Sequence, residues 1–165
     1  MKSMEIENER SIAVVKDNEL LQRSVYNLTA EQQKFLCFVI SRIKPTDKEL
    51  KPFTISAVDF AEVCGIHQKH VYRDFREMAE RFDKNSWWVK VGDDTLLFRI
   101  FSEAWYNEKN GSITVKFHSK LTRYLIGLAE RGNYTIYELW NVISLKSKYS
   151  IRLYELLMSY HYHRI

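Results

Sequence analysis

Residues 53–84 carry two apolar helical patterns that meet at a single glycine, Gly65, and any fold open to this chain must bury both while turning there. Ser56 and Asp59 form an S-x-x-D pair ahead of the first pattern, in which side-chain oxygens satisfy the free backbone donors of a helix start. Phe60, Ala61 and Cys64 give that helix one apolar side. Gly65 supplies the left-handed conformation that ends a helix without a Cβ clash, and Ile66 offers an apolar contact just beyond it. The second pattern, from Gln68, places Val71, Phe75, Met78, Ala79 and Phe82 on one stripe. A turn of about 100° per residue puts Lys69, Arg73, Arg76 and Glu80 almost opposite. The two helices read as a helix-turn-helix. With Gln68 and His70 near its start, the outward face has the composition of a helix presented to a DNA major groove. Asp74, Glu77 and Glu80 temper its charge, so a solvated helix surface fits the same pattern and both readings stand.

Around this unit the pattern changes twice. Upstream, Leu20, Leu21, Val25 and Tyr26 are spaced as one helical face, and Thr29 with Gln32 forms a T-x-x-Q capping box. The helix that follows is apolar nearly all round, through Phe35, Leu36, Cys37, Phe38, Val39, Ile40 and Ile43, which places it mid-core. Pro45 and the charged run over residues 44–52 end it in a loop, and residues 53–55 read as a short strand. After Lys84 the period becomes extended. Residues 87–91 and 95–101 read as a hairpin closed by Gly92, Asp93 and Asp94, with residues 104–106 continuing its second strand after a bend at Ser102. Residues 112–118 alternate Ile113, Val115 and Phe117 with polar side chains after an Asn110-Gly111 turn. Leu121, Leu125 and Leu128 share one side of a helix closed by Gly132, and residues 134–137 read as a brief strand. A short apolar helix follows, and a last one, from about Ser147, is expected to turn Ile151, Leu153, Leu156, Leu157 and Tyr160 inward.

Helix, strand, two helices and a hairpin is the order of a winged helix. The expected class is α+β, a winged helix-turn-helix with additional flanking helices and a β-hairpin or meander. Residues 1–17 are assigned to a flexible N-terminal arm, with a short pairing strand as the alternative, and residues 18–165 to the domain. Of the two hairpin tips that could lie beside the recognition helix, residues 107–111 carry Lys109 with no aspartate pair to repel phosphate.

The 165 residues, 45% hydrophobic and 14% aromatic, suffice for one substantial core. A net charge of +4 is compatible with a polyanionic partner, and its excess lies away from the N-terminus. Cys37 and Cys64 lie in apolar patterns without a C-x-x-C pair or a histidine cluster, so neither disulfide nor metal is expected. No phosphate-cradling G-x-x-x-x-G-K-[ST] loop is present, and no cofactor is expected. His161, Tyr162 and His163 superficially resemble the metal motif of rolling-circle nucleases. Those ligands need a strand that turns both histidines to one side, whereas this triplet follows a helix and reads as a frayed terminal turn. No apolar run reaches membrane-spanning length and no cleavable leader is seen in the first twenty residues; a cytoplasmic, non-enzymatic protein away from membranes is expected.

Three stretches, NELLQRSVYNLTAEQQKFL from Asn18, FTISAVDFAEVCGI leading into HVYRDFREMAERF, and LKSKYSIRLYELL from Leu145, resemble the plasmid replication initiators of the Rep_3 type, which bind iterons and are built from two winged-helix domains. The resemblance implies the N-terminal winged-helix domain of such an initiator, with the second domain absent from this chain and Ile165 an internal boundary. In that family the C-terminal module makes much of the sequence-specific contact, while the N-terminal one adds DNA contacts and mediates dimerisation. The implied partners are double-stranded plasmid origin repeats, a second copy of the chain, and host replication proteins. The DNA-binding candidates are then Gln68, Lys69, His70, Arg73, Arg76 and Lys109, joined by Lys146, Lys148 and Arg152 as phosphate contacts. A charged rim around a structural helix is the other reading of those last three, with Tyr149, Leu153, Leu156 and Leu157 as packing residues. A protein-interaction and dimerisation module with little DNA affinity of its own is the alternative function.

The homodimer has support in the residues themselves. Trp87, Trp88, Leu96, Leu97, Phe98, Ile100 and Phe101 put large apolar groups on both faces of the hairpin. Neighbours on a strand face opposite ways, so only one of Trp87 and Trp88 can enter the core. The other face needs a cover, supplied by the helices over residues 119–145 or by a second copy.

Overall fold

The computed structural model describes residues 3–10, 12–82 and 84–161. In chain order the elements are α1 (Ser3–Arg10), β1 (Ala13–Asp17), α2 (Asn18–Arg23), β2 (Ser24–Val25), α3 (Ala30–Ile40), β3 (Phe53–Ser56), α4 (Ala57–Cys64), α5 (Val71–Phe82), β4 (Ser86–Val91), β5 (Asp94–Arg99), β6 (Phe101–Asn107), β7 (Ser112–Phe117), α6 (Thr122–Leu125), α7 (Leu128–Arg131), β8 (Tyr134–Glu138), α8 (Trp140–Ile143) and α9 (Lys148–His161). Single 3-10 turns at Gln68–His70 and Ser119–Leu121 lead into α5 and α6.

Helix α3 is the axis of the core. The Gln32 N–H donates to Thr29 Oγ1 at 3.2 Å and the Thr29 N–H donates to Gln32 Oε1 at 3.0 Å, so the capping box is complete. Such a cap contributes about 1 kcal/mol. Phe35 then packs against Phe60, Phe75, Phe82 and Phe101 at ring separations of 5.4–6.2 Å, which joins α3 to α4, α5 and β6 through one side chain. Edge contacts of this kind add about 0.5–1.5 kcal/mol per pair beyond the area buried. The helix-turn-helix forms as its sequence requires. The Asp59 N–H donates to Ser56 Oγ at 3.4 Å, Gly65 adopts φ 65°, and the Ile66 N–H closes on Ala61 O at 2.8 Å.

The strands form three antiparallel sheets, ordered β1-β8, β2-β4-β5 and β3-β7-β6. The last is the winged-helix sheet: β3 pairs with β7 through Ile55 and Ile113, and β7 pairs with β6 through Val115 and Ala104. The wing is therefore the β6–β7 hairpin with its tip at residues 107–111. The β4–β5 hairpin is an insertion that pairs with β2 instead. Residues 104–106 do not extend β5, because the chain changes sheets at Ile100. Phe101 starts a new strand there, drawn against Phe82 and Phe117 at 5.2 and 5.1 Å.

Four local expectations are corrected. Residues 13–17, assigned to a flexible arm with a short pairing strand as the alternative, follow the alternative: they form β1 and pair with β8, because their alternation buries Val14 and Lys16. Helix α2 ends at Arg23, and Val25 lies in an exposed edge strand rather than on a helical face. The helix over residues 119–132 is broken in two where Gly127 takes φ 69°. In α9, finally, Leu153, Leu157 and Tyr160 face solvent rather than the core, and so does Tyr149. The inward positions are Ile151, Glu155 and Ser159, because Glu155 meets the buried Lys16 ammonium at 2.7 Å and Ser159 Oγ accepts from Gln22 Nε2 at 3.1 Å.

Both cysteines are buried free thiols. Burial pushes Cys37 up and Cys64 up to about 12, which leaves neither available as a thiolate near neutral pH.

Candidate nucleic-acid interface

The turn at Gln68–His70 is fixed by its own cap, with His67 Nδ1 accepting from the Lys69 N–H at 3.2 Å. Val71, Phe75, Met78 and Phe82 then hold α5 to the core. That rotation leaves Lys69, His70, Tyr72, Arg73, Arg76, Glu77 and Glu80 outward. The basic side chains differ in what they already engage. Arg73 reaches its neighbour Asp74 at 3.2 Å, an exposed contact that water screens. Arg76 donates to Glu80 Oε1 at 3.2 Å and to Glu108 Oε1 at 2.8 Å, and these bonds raise its pKa above the ordinary value.

The wing tip is shaped by its asparagines. Asn107 Oδ1 accepts from the Lys109 N–H at 3.0 Å, and Asn110 Oδ1 accepts from the Ser112 N–H and hydroxyl at 3.1 and 2.7 Å. Gly111 takes φ 61°, and its carbonyl accepts from the Ala57 N–H at 2.9 Å, which ties the tip to the start of α4. A Cβ at Gly111 would run into the Tyr72 ring, so wing and recognition helix touch where only a glycine fits. Arg76 makes the second tie, through Glu108 and over the Tyr106 ring at 5.3 Å. Beneath these ties a cavity of about 330 Å³ separates α5 from the sheet, lined by Phe35, Ala79, Phe82 and Phe101 among others.

Of the nine candidate residues, the structure brings six into one unit. Gln68, Lys69, His70, Arg73 and Arg76 belong to α5 and its leading turn, and exposed Lys109 belongs to the wing clamped against it. The other three stand at α9, which packs on α2, α3 and β8. Arg152 donates to Ser24 O at 2.9 Å and to the Tyr26 hydroxyl at 3.3 Å, and lies over the Tyr26 ring, which stacks on Trp87. Its guanidinium thus ties α9 to the edge of β2. Lys148 Nζ donates to Asn27 Oδ1 at 3.1 Å, and Lys146 is exposed. Sequence reasoning missed Glu108 and Tyr72. The signal for Tyr72 was Gly111, whose missing side chain leaves room for a ring that no local pattern names.

On the insertion sheet Trp87 is buried and Trp88 exposed, and the outer row Val25–Trp88–Leu97 runs across all three strands uncovered. His161 is an exposed residue of α9, while Tyr162 and His163 lie outside the described residues. Among the described residues no helix is long and apolar enough to cross a membrane.

Comparison with known proteins bears on the fold and the family. The chain is 24% identical over 164 residues to an uncharacterized 27.6 kDa protein of Escherichia coli, covering 92% of this chain and 68% of that one. Its fold superposes on the Pi initiator protein, solved in complex with iteron DNA, with a TM-score of 0.73 at 19% identity over 92% of this chain. The chain spans 65% of that initiator's length. A looser likeness, TM-score 0.43 at 15% identity, is to the WH1 domain of the replication protein MSBI1.176, over 70% of this chain and 85% of that one. The family described as initiator replication protein, WH1, matches residues 13–158, which is most of the sequence from β1 to α9. The chain belongs to that family of replication initiators, as its WH1 domain.

Proposed function

We propose that this chain is the first winged-helix module of a plasmid replication initiator, that it binds the duplex repeats of its origin through α5 and the wing, and that it pairs with a second copy. The observation that carries the reading is the joined surface of Lys69, His70 and Arg73 with Lys109, held in register by the Tyr72–Gly111 contact. The start of α5 would face base edges and the wing would take backbone or minor groove, with Lys146 and Lys148 outside this face. The iteron complex of the Pi initiator supports the choice of ligand. On this reading the module performs no reaction of its own and works in the cytoplasm with host replication proteins. The uncovered Val25–Trp88–Leu97 row is the surface for the second copy, where burial would stabilise by about 25 cal/mol per Å².

The test is a titration of the chain with its own origin duplex across salt concentrations. Affinity should fall steeply with salt, by about 0.9 log units per log unit of salt for each phosphate neutralised. Lys69→Ala and Lys109→Ala should each flatten that slope by about one. Absence of binding to any duplex at low salt would sink the DNA reading and leave a protein-interaction module. Sedimentation equilibrium decides the dimer: a monomer mass that persists at high protein concentration overturns it.

A further inference from the structure

Helix α9 is apolar on two sides. Ile151, with partly buried Tyr154 and Met158, packs against the core beside buried Glu155 and Ser159, while Tyr149, Leu153, Leu157 and Tyr160 are 74%, 56%, 63% and 55% exposed. A solvated helix carries polar residues on its outer face. The helix cannot correct this by rotating, because turning the leucines inward would pull Glu155 away from Lys16 and leave an ammonium unpaired in the core. The four exposed residues stand at i, i+4, i+8 and i+11, a ridge about 16 Å long at 1.5 Å per residue. An apolar ridge of this length marks an interaction surface rather than scattered surface residues.

The exposed charge of α9 and of the turn before it has one sign. Glu155 is the sole acidic residue between positions 146 and 161 and it is buried, whereas Lys146 is exposed and the Lys148 ammonium lies 5.2 Å from the Tyr149 ring. The second copy is already assigned the Val25–Trp88–Leu97 row, and a parallel pair of α9 helices would set Lys146 and Lys148 against the same lysines, so a different partner is the better occupant. We propose that the ridge docks an acidic amphipathic helix of a partner protein, whose apolar side chains fill the gaps between Tyr149, Leu153 and Leu157 and whose carboxylates meet Lys146 and Lys148. This surface is independent of the DNA reading, since α9 packs chiefly on α2, α3 and β8.

The probe is a synthetic amphipathic helix of about 20 residues, long enough to hold its fold, with leucines along one face and glutamates on the others, beside a twin in which lysines replace the glutamates. Fluorescence anisotropy with the 165-residue chain should show binding of the acidic peptide, weakened by salt, and none of the basic one. Leu153→Ser/Leu157→Ser should lower affinity about a hundredfold while leaving thermal unfolding and duplex binding unchanged, both side chains being exposed. Lys146→Glu/Lys148→Glu should reverse the preference between the two peptides. Equal affinity for both peptides, or none for the acidic one, overturns the proposal. It is equally overturned if the leucine variant loses self-association without peptide, which would assign the ridge to a second copy, or loses binding to phosphatidylglycerol vesicles, which would assign it to a membrane.

Discussion

Two ion pairs of nearly the same length tie distant parts of this chain together, and they do different work. Lys16 and Glu155 meet at 2.7 Å with side chains 3% and 1% exposed, whereas Arg76 and Glu108 meet at 2.8 Å with side chains 51% and 74% exposed. In the first pair water is gone, so neither charge has another partner of equal strength. In the second, water and salt compete at every moment. The buried pair consequently fixes a register: it sets which face of α9 turns inward and which residues of β1 alternate into the core. The exposed pair fixes little by itself, and the wing keeps its register against α5 through the Tyr72–Gly111 contact. Solvation, rather than bond length, separates a structural seam from a contact that a ligand can rearrange.

The seam should give the largest effect. Glu155→Gln removes one charge and leaves the Lys16 ammonium buried, which is expected to cost about 3–5 kcal/mol, read as a lower urea midpoint. Replacing both partners by apolar residues, Lys16→Met with Glu155→Leu, should recover most of that loss. If the double variant is as unstable as the single one, the seam is held by packing rather than by its charges.

Alkaline pH probes the same place. Burial alone would lower the Lys16 pKa, but the Cys37 sulfur and the Glu155 carboxylate outweigh it and the pKa is raised. Burial pushes the nearby Tyr26 up to about 12, and Tyr137 is raised as well. Each of these groups holds its proton more tightly folded than unfolded. Their contribution is therefore complete below the ordinary values of 10.0 for tyrosine and 10.5 for lysine, and it is lost as pH rises beyond them. Stability of the wild-type chain should drop from about pH 9 upward, first through the buried Cys37 and Cys64 thiols, whose pKa values burial also raises, and then through these groups, and the Lys16→Met/Glu155→Leu variant should show a shallower drop. Equal slopes in the two would exclude Lys16 as a source of the alkaline loss.

At the wing junction the expected effect is intermediate. Gly111→Ala forces a Cβ into left-handed backbone and against the Tyr72 ring, at a cost of about 2 kcal/mol. Combining it with Tyr72→Ala removes the clash and retains the backbone strain, so the pair should show a favourable coupling. Additive losses would mean that wing and recognition helix do not bear on each other at this point.

The same contrast explains what could be read from the sequence. The Thr29 box, the Ser56 cap, the Gly65 turn and the inward stripe of α5 depend on residues within one or two helical turns, and all were legible. The orientation of α9 was not. Its leucine spacing and the Ile151–Tyr154–Met158 spacing are both helical stripes, and the choice between them is fixed by Lys16, 139 positions away, a partner that no pattern within α9 announces. The wing tip was picked out by charge, Lys109 against the aspartate pair of the other tip, but its strand pairing was not legible. Two hairpins followed the helix-turn-helix, and which of them joins β3 depends on Phe101 finding Phe82 and Phe117. At the candidate site, Lys69, Arg73 and Lys109 were recognisable as outward cations, whereas Glu108 became visible only when the wing brought it to Arg76.

The smallest effect on stability belongs to that last pair. Because both side chains are more than half exposed, Glu108→Gln should leave the urea midpoint unchanged within error, and added salt should abolish any residual difference. A loss as large as that of Glu155→Gln would contradict the contrast between the two pairs. Its consequence should appear in binding instead. Glu108 engages Arg76 on the surface proposed to face the duplex, so the Glu108→Gln variant leaves Arg76 ion-paired with Glu80 alone and removes an acid that repels phosphate. Affinity for duplex DNA should rise at low salt and the salt slope should steepen, while Arg76→Gln should move both the other way. Unchanged titrations in both variants would place the Arg76–Glu108 contact outside the DNA footprint and shift the interface toward Lys69 and the first turn of α5.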